Sequence, residues 1–103
     1  MKVKIYGFDT SLYPCESCLR AKEFLDYHKI DYEFLSVIER DENGKLVHKE
    51  SVVKQLELEY GDDVSGISLP QIFVNGKYIG KFAIFKQKFL EGVFNGTWSN
   101  KNW

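Results

Sequence analysis

Cys15 and Cys18, in the stretch "LYPCESCL", are the only two cysteines of the 103-residue chain. A C-x-x-C pair can supply half of a metal site, brace a fold, or exchange electrons by opening and closing a disulfide. Zinc usually takes four ligands, and only His28 and His48 could complete the set. Their spacing does not resemble a compact zinc finger, so no metal ligand is expected; a metal cluster bridging two subunits, one cysteine from each, stays open as a lesser alternative. Electron exchange has more behind it. The pair falls between a predicted strand and a predicted helix, which puts Cys15 at a helix N-terminus. Unpaired backbone N–H groups and the helix dipole favour a thiolate there. Cys18 lies one turn further on, within reach of a disulfide, and Pro14 fixes the approach of the chain.

No other constellation competes. Neither histidine has the local partners of a catalytic base, and there is no Ser-His-Asp set or phosphate-binding glycine loop. The formal charge is −1, from 14 basic and 15 acidic residues, and no basic stripe suggests nucleic acid. Lys2 and Lys4 alternate with apolar residues and suggest the solvated side of an opening strand. No apolar run reaches the roughly 18 residues of a membrane span, and the N-terminus lacks the pattern of a signal peptide. The cytosol is the expected compartment, where a close cysteine pair favours a metal or redox role over a static disulfide. Length predicts one domain over residues 1–103, with 93–103 as a loosely ordered tail carrying Trp98 and Trp103.

The elements that must position the pair follow from periodicity. Residues 2–7 alternate as a strand, and residues 16–29 place Ala21, Phe24, Leu25 and His28 at a helical period. Residues 32–38 form a second strand. In the charged stretch 39–47 Asn43-Gly44 suits a tight turn in a small excursion with little sheet of its own; a plain loop is the favoured reading over a functional arm. Residues 49–60 make a second helix, stopped at Gly61. "QIFV" and "KYI" flank Asn75-Gly76, the strongest hairpin signal in the chain. Phe82, Phe85 and Phe89 mark the core face of a last helix running to about residue 92. The order β-α-β-α-β-β-α predicts an α/β fold with a four-stranded mixed sheet flanked by helices. Pro70 precedes the hairpin, where a cis Leu69–Pro70 bond would set the backbone of Leu69 beside the thiols, able to pair with an extended substrate.

"YGFDTSLYPCESC" with its amphipathic helix, then "LPQIFVNGKYIG" and a final helix, resembles the glutaredoxins of the thioredoxin-like superfamily over residues 2–92. The long interval from Tyr6 to Cys15 is similar to that of the phage-type glutaredoxin that also acts as a thioredoxin. The resemblance implies a thioredoxin-like fold and a thiol–disulfide oxidoreductase with no tightly bound cofactor. It makes Cys15 the nucleophile, Cys18 the resolving thiol and glutathione the reducing co-substrate. It places Tyr13, Pro14, Leu69, Pro70, Gly80 and Lys81 along the substrate or glutathione groove.

Disulfide-containing proteins are the implied partners of a monomer, with ribonucleotide reductase or thioredoxin reductase among them. Gln71 is expected at a strand edge rather than on a ligand. The chain departs from the family at three places. The centre is C-E-S-C rather than C-P-Y-C. No basic residue precedes it, and Asp9 stands in that segment instead. Lys81 and Ala83 replace the second glycine and the acid that receive glutathione's γ-glutamyl end. The first leaves the reduction potential open; the other two count against tight glutathione binding. They keep two alternatives open: a reductant coupled to thioredoxin reductase, or a protein whose partner binding responds to the redox state of the pair.

Overall fold

A computed structural model of the chain describes residues 1–94. Strand β1 (Val3–Gly7) is followed by helix α1 (Glu16–Tyr27) and β2 (Tyr32–Ser36). A short pair, β3 (Ile38–Arg40) and β4 (Leu46–His48), precedes helix α2 (Glu50–Tyr60). Then come β5 (Gln71–Val74), β6 (Lys77–Gly80) and helix α3 (Phe82–Leu90). The main sheet has the order β2-β1-β5-β6, with β1 parallel to β2 and antiparallel to β5, and β5 antiparallel to β6. This is the expected four-stranded mixed sheet in a thioredoxin-like α/β fold.

Alternation along the central strands builds a core on each face. Val3, Ile5, Ile72 and Val74 point to the side of α1 and α3, where they meet Ala21, Leu25 and Phe85. Tyr6 and Phe73 point to the opposite side, against Val52 and Leu56 of α2. Cys18, Ala21 and Leu25 are the buried residues of α1, so the cysteine motif and the core contacts share one stripe. The three aromatics of the last helix behave as expected: Phe85 is fully buried, and Phe82 and Phe89 pack partly buried beside it. Val93 and Phe94 join this cluster, whereas Trp98 and Trp103 lie outside the described residues.

Turn chemistry closes the elements where the sequence requires it. Asn75 and Gly76 both have positive φ, 52° and 81°, as a two-residue hairpin turn demands. Asn75 also ties the turn to the start of β1, its side-chain oxygen accepting from the Lys2 amide at 2.9 Å. Gly61 caps α2 in the left-handed region.

Three expectations need correction. Residues 39–47 are not a plain loop, because β3 and β4 pair antiparallel, from Ile38 opposite His48 to Arg40 opposite Leu46. The Asp41 carboxylate holds the turn by accepting from the amides of Asn43 and Lys45, each at 2.9 Å. The predicted strand over 32–38 therefore breaks at Val37, where the chain leaves the main sheet. Ser36 fixes that exit by donating its hydroxyl to the Ile38 carbonyl at 2.8 Å. Lastly, Lys4 does not lie on an open solvent face. Its side of β1 is covered by α2, and its ammonium reaches Glu59 at 2.8 Å.

Glu59 also accepts from the Tyr6 hydroxyl. Burial works against the charge of Glu59, but the hydrogen bonds from Lys4, Tyr6 and Gln55 outweigh it and hold the carboxyl below its ordinary range. Burial, then the adjoining carboxylate, push the Tyr6 hydroxyl well above its ordinary value. A carboxyl with a lowered folded-state pKa stabilises the fold fully above its unfolded value and loses that contribution as pH falls through the folded one. Glu59→Gln should therefore cost most near neutrality, and the gap from the parent should close in acid. Urea midpoints compared from about pH 7 down to about pH 3 test this; a gap independent of pH would contradict it.

Candidate active site

The elements that carry the two motifs meet at the Gly7 end of β1. The chain leaves β1 at Gly7 and reaches Cys15 through a compact turn. The amides of Leu12 and Tyr13 donate to the Asp9 carbonyl at 2.9 and 3.0 Å. The Asp9 carboxylate accepts from both the hydroxyl and the amide of Ser11, which holds its carboxyl below the usual range. Asp9 thus organises the turn in front of the cysteines.

Cys15 is the N-cap of α1, with extended backbone and a sulfur that accepts from the Cys18 amide at 3.2 Å. Its carbonyl accepts the first helical bond, from Leu19, at 3.0 Å. The helix N-terminus therefore aims a backbone donor at the Cys15 sulfur, as the sequence predicts. The pair is joined as a disulfide, with Cα atoms 5.3 Å apart. The two sulfurs differ in access: Cys15 is half-buried, while Cys18 is wholly buried. Glu16 points into solvent and pairs with Arg20 at 2.6 Å.

Register brings the second motif to the same place. Tyr6 is opposite Gln71 in the β1–β5 pair, so Pro70 arrives at the Gly7 end of β1. The Leu69–Pro70 peptide is cis, with Pro70 buried and Leu69 half-buried. Gly80 is opposite Ile72, which puts the Gly80–Lys81 step and the start of α3 at that end as well. Gly80 has a φ of 126°, a conformation that an L side chain rarely adopts. Lys81 and Ala83 are exposed.

Tyr13 is half exposed and its ring lies 5.1 Å from that of Phe8, while Pro14 is exposed just before the pair. Below Phe8, a recess of about 280 Å³ is lined by Val37, Val53, Leu56, Val64 and Leu69 among others. Gln71 is not at an accessible strand edge: it is buried, donates to the Ser68 carbonyl and accepts from the Tyr78 hydroxyl at 2.6 Å. His28 packs between the rings of Phe24 and Phe89, away from any proton-transfer role.

Sequence reasoning missed Gly7 and Phe8. The Phe8 amide donates to the Cys18 sulfur at 3.5 Å. A Cβ on Gly7 would lie 3.0 Å from that sulfur and 3.0 Å from the Phe34 ring. The available signal was a glycine ending a strand that must run beneath a helix, which marks a close approach.

The comparisons agree with this geometry. A family model described as Glutaredoxin matches residues 3–79. The glutaredoxin of Enterobacteria phage T4 is 30% identical over 88 residues, covering 84% of this chain and 97% of that protein. Glutaredoxin 1 from Francisella tularensis, solved in complex with cacodylate, has a TM-score of 0.57 at 25% identity over 89% of this chain and 95% of its own. A buckwheat glutaredoxin–glutathione complex shares the fold, with a TM-score of 0.58 at 19% identity over 87% of this chain and 69% of its own. With a helix-capping cysteine pair, the matching fold and a family match over most of its length, this chain belongs to the glutaredoxin family and is a thiol–disulfide oxidoreductase.

Proposed function

We propose that the protein is a dithiol reductant of protein disulfides and of glutathione mixed disulfides, with Cys15 as nucleophile and Cys18 as resolving thiol. The observation that carries the assignment is the difference in access: Cys15 caps the helix half-exposed, whereas Cys18 is wholly buried. A substrate sulfur can meet the first and not the second.

In the reduced protein the Cys15 thiolate attacks one sulfur of a substrate disulfide, and the other substrate sulfur leaves as a thiolate. Cys18 then attacks the Cys15 sulfur, forms the Cys15–Cys18 bond and releases the second substrate thiolate. Two electrons pass to the substrate. Two molecules of reduced glutathione restore the dithiol by the reverse sequence. Leu69 and Pro70 supply the backbone edge for an extended substrate, and Tyr13, Pro14, Gly80 and Lys81 border the groove. Protein disulfides are the principal substrates, and ribonucleotide reductase is the acceptor that the phage-type resemblance puts first. The protein acts as a cytosolic monomer.

A second reading has one observation in its favour. Ala83 is exposed at the start of α3 and offers no acceptor for an ammonium group, which favours thioredoxin reductase as the electron source. Stopped-flow mixing of the oxidised protein with reduced glutathione at neutral pH separates the two readings. Fast and extensive opening of the Cys15–Cys18 bond is expected. Failure to open it under conditions that reduce another glutaredoxin would transfer the role of donor to thioredoxin reductase.

A further inference from the structure

We propose that the backbone N–H of Phe8, brought against Cys18 because Gly7 has no side chain, takes up the charge on the Cys18 sulfur whenever the disulfide opens. The inference rests on the reading that Cys15 is the sulfur attacked. When an incoming thiolate bonds to the Cys15 sulfur, the Cys15–Cys18 bond breaks and its electron pair leaves on Cys18. That sulfur is wholly buried, so the charge appears where water does not reach it. An unpaired charge there is costly, and a slow leaving group slows exchange.

Among the described residues, the hydrogen bond that the Cys18 sulfur accepts comes from the Phe8 amide, at 3.5 Å. The contact requires the end of β1 to pass directly under the sulfur, and Gly7 permits that approach. Three charged side chains of the preceding turn and of α1 are engaged elsewhere. Asp9 is bonded to Ser11, Arg20 to Glu16, and the Lys22 ammonium lies 3.9 Å from the centre of the Phe34 ring. The donor is a sulfur acceptor's ordinary partner in the disulfide and becomes a charge-assisted one when the bond opens. By microscopic reversibility, the same amide holds the Cys18 thiolate in place for its return attack on Cys15. The Phe8 amide is thus a catalytic group that belongs to the backbone, and Gly7 is its positioning residue.

The test replaces Phe8 by its α-hydroxy acid, which keeps the ring and exchanges the N–H for an ester oxygen. Dithiothreitol serves as reductant because it needs no glutathione groove. Its first thiolate bonds to Cys15 and expels Cys18; its second closes the dithiothreitol ring and releases Cys15, passing two electrons to the protein. Loss of one charge-assisted hydrogen bond should slow the opening about tenfold. The ester also weakens the Gly7 carbonyl, which accepts from the Val37 amide at 2.9 Å, so general loosening must be separated out. In a Cys18→Ala background, alkylation of Cys15 by iodoacetamide should proceed at the same rate with the ester and with the amide.

Gly7→Ala retains the amide but crowds both the sulfur and the Phe34 ring, each 3.0 Å from the added Cβ, and by pushing β1 and the sulfur apart it should slow the opening in the same direction. If the ester chain does not fold, this variant decides. Opening at the parent rate overturns the proposal, as does equal slowing of opening and of Cys15 alkylation. A parent protein that reduces no disulfide would instead sink the underlying assignment of Cys15 and Cys18.

Discussion

Cys15→Ser should lower the rate of disulfide reduction by about 10³-fold or more, because a serine hydroxyl at neutral pH offers almost none of the anion that attacks sulfur. The fold should be nearly unaffected, since Ser is itself a strong N-cap and can accept from the Cys18 amide as Cys15 does. Cys18→Ser should behave differently. Attack by Cys15 remains, but the mixed disulfide with a protein substrate has no internal thiol to resolve it. Turnover of protein disulfides should stall after one event, while the first bond-forming step survives. Mixing each pre-reduced variant with excess insulin in the absence of any other thiol, and following the first mixed disulfide and the released insulin thiols separately, checks both outcomes. Comparable losses in the first step for the two variants would contradict the assigned asymmetry.

The largest effect on stability is expected at Phe85. It is fully buried, and its ring is 5.3 Å from Phe94, 6.2 Å from Phe89 and 6.3 Å from Phe24. It joins α3 to α1 and to the residues after the last helix, so truncation opens a cavity among three aromatic neighbours that are each held by other contacts. Phe85→Ala should cost about 3–5 kcal/mol. Against a typical domain stability of about 5–15 kcal/mol, that is enough to leave the variant marginal. Chemical denaturation at fixed pH measures it. A loss below about 1 kcal/mol would mean that the cluster collapses around the vacancy and that Phe85 is not central to this face.

What was legible in the chain depended on how local its cause was. The helix beginning at Cys15, the Asn75-Gly76 hairpin and the Gly61 stop each follow from a few adjacent residues, and each stands where expected. The aromatic triad of α3 was legible because three phenylalanines at helical spacing leave little choice of inner face. The β3–β4 pair was not, because its strands are only three residues long and its turn is crowded with charge. What makes it a hairpin is the Asp41 carboxylate gathering two amides, a contact that composition alone does not reveal.

Lys4 was misjudged for the opposite reason: its partner, Glu59, is 55 positions away on α2. The site shows the same division. The two cysteines and Pro70 announce themselves by type and spacing. The Phe8 amide does not, since every residue but proline carries such a donor, and only the fold decides which one meets the sulfur.

The central claim, that Cys15 is the sulfur that meets substrate, is tested most directly by trapping. Reduced Cys18→Ser protein, mixed with oxidised glutathione and quenched with acid, should gain the mass of one glutathione, and peptide mapping should find it on Cys15. The same treatment of Cys15→Ser should leave Cys18 unmodified, because its sulfur is wholly buried on the inner face of α1 against the end of β1. Prompt glutathionylation of Cys18 in that variant, or none of Cys15 in the other, would contradict the account.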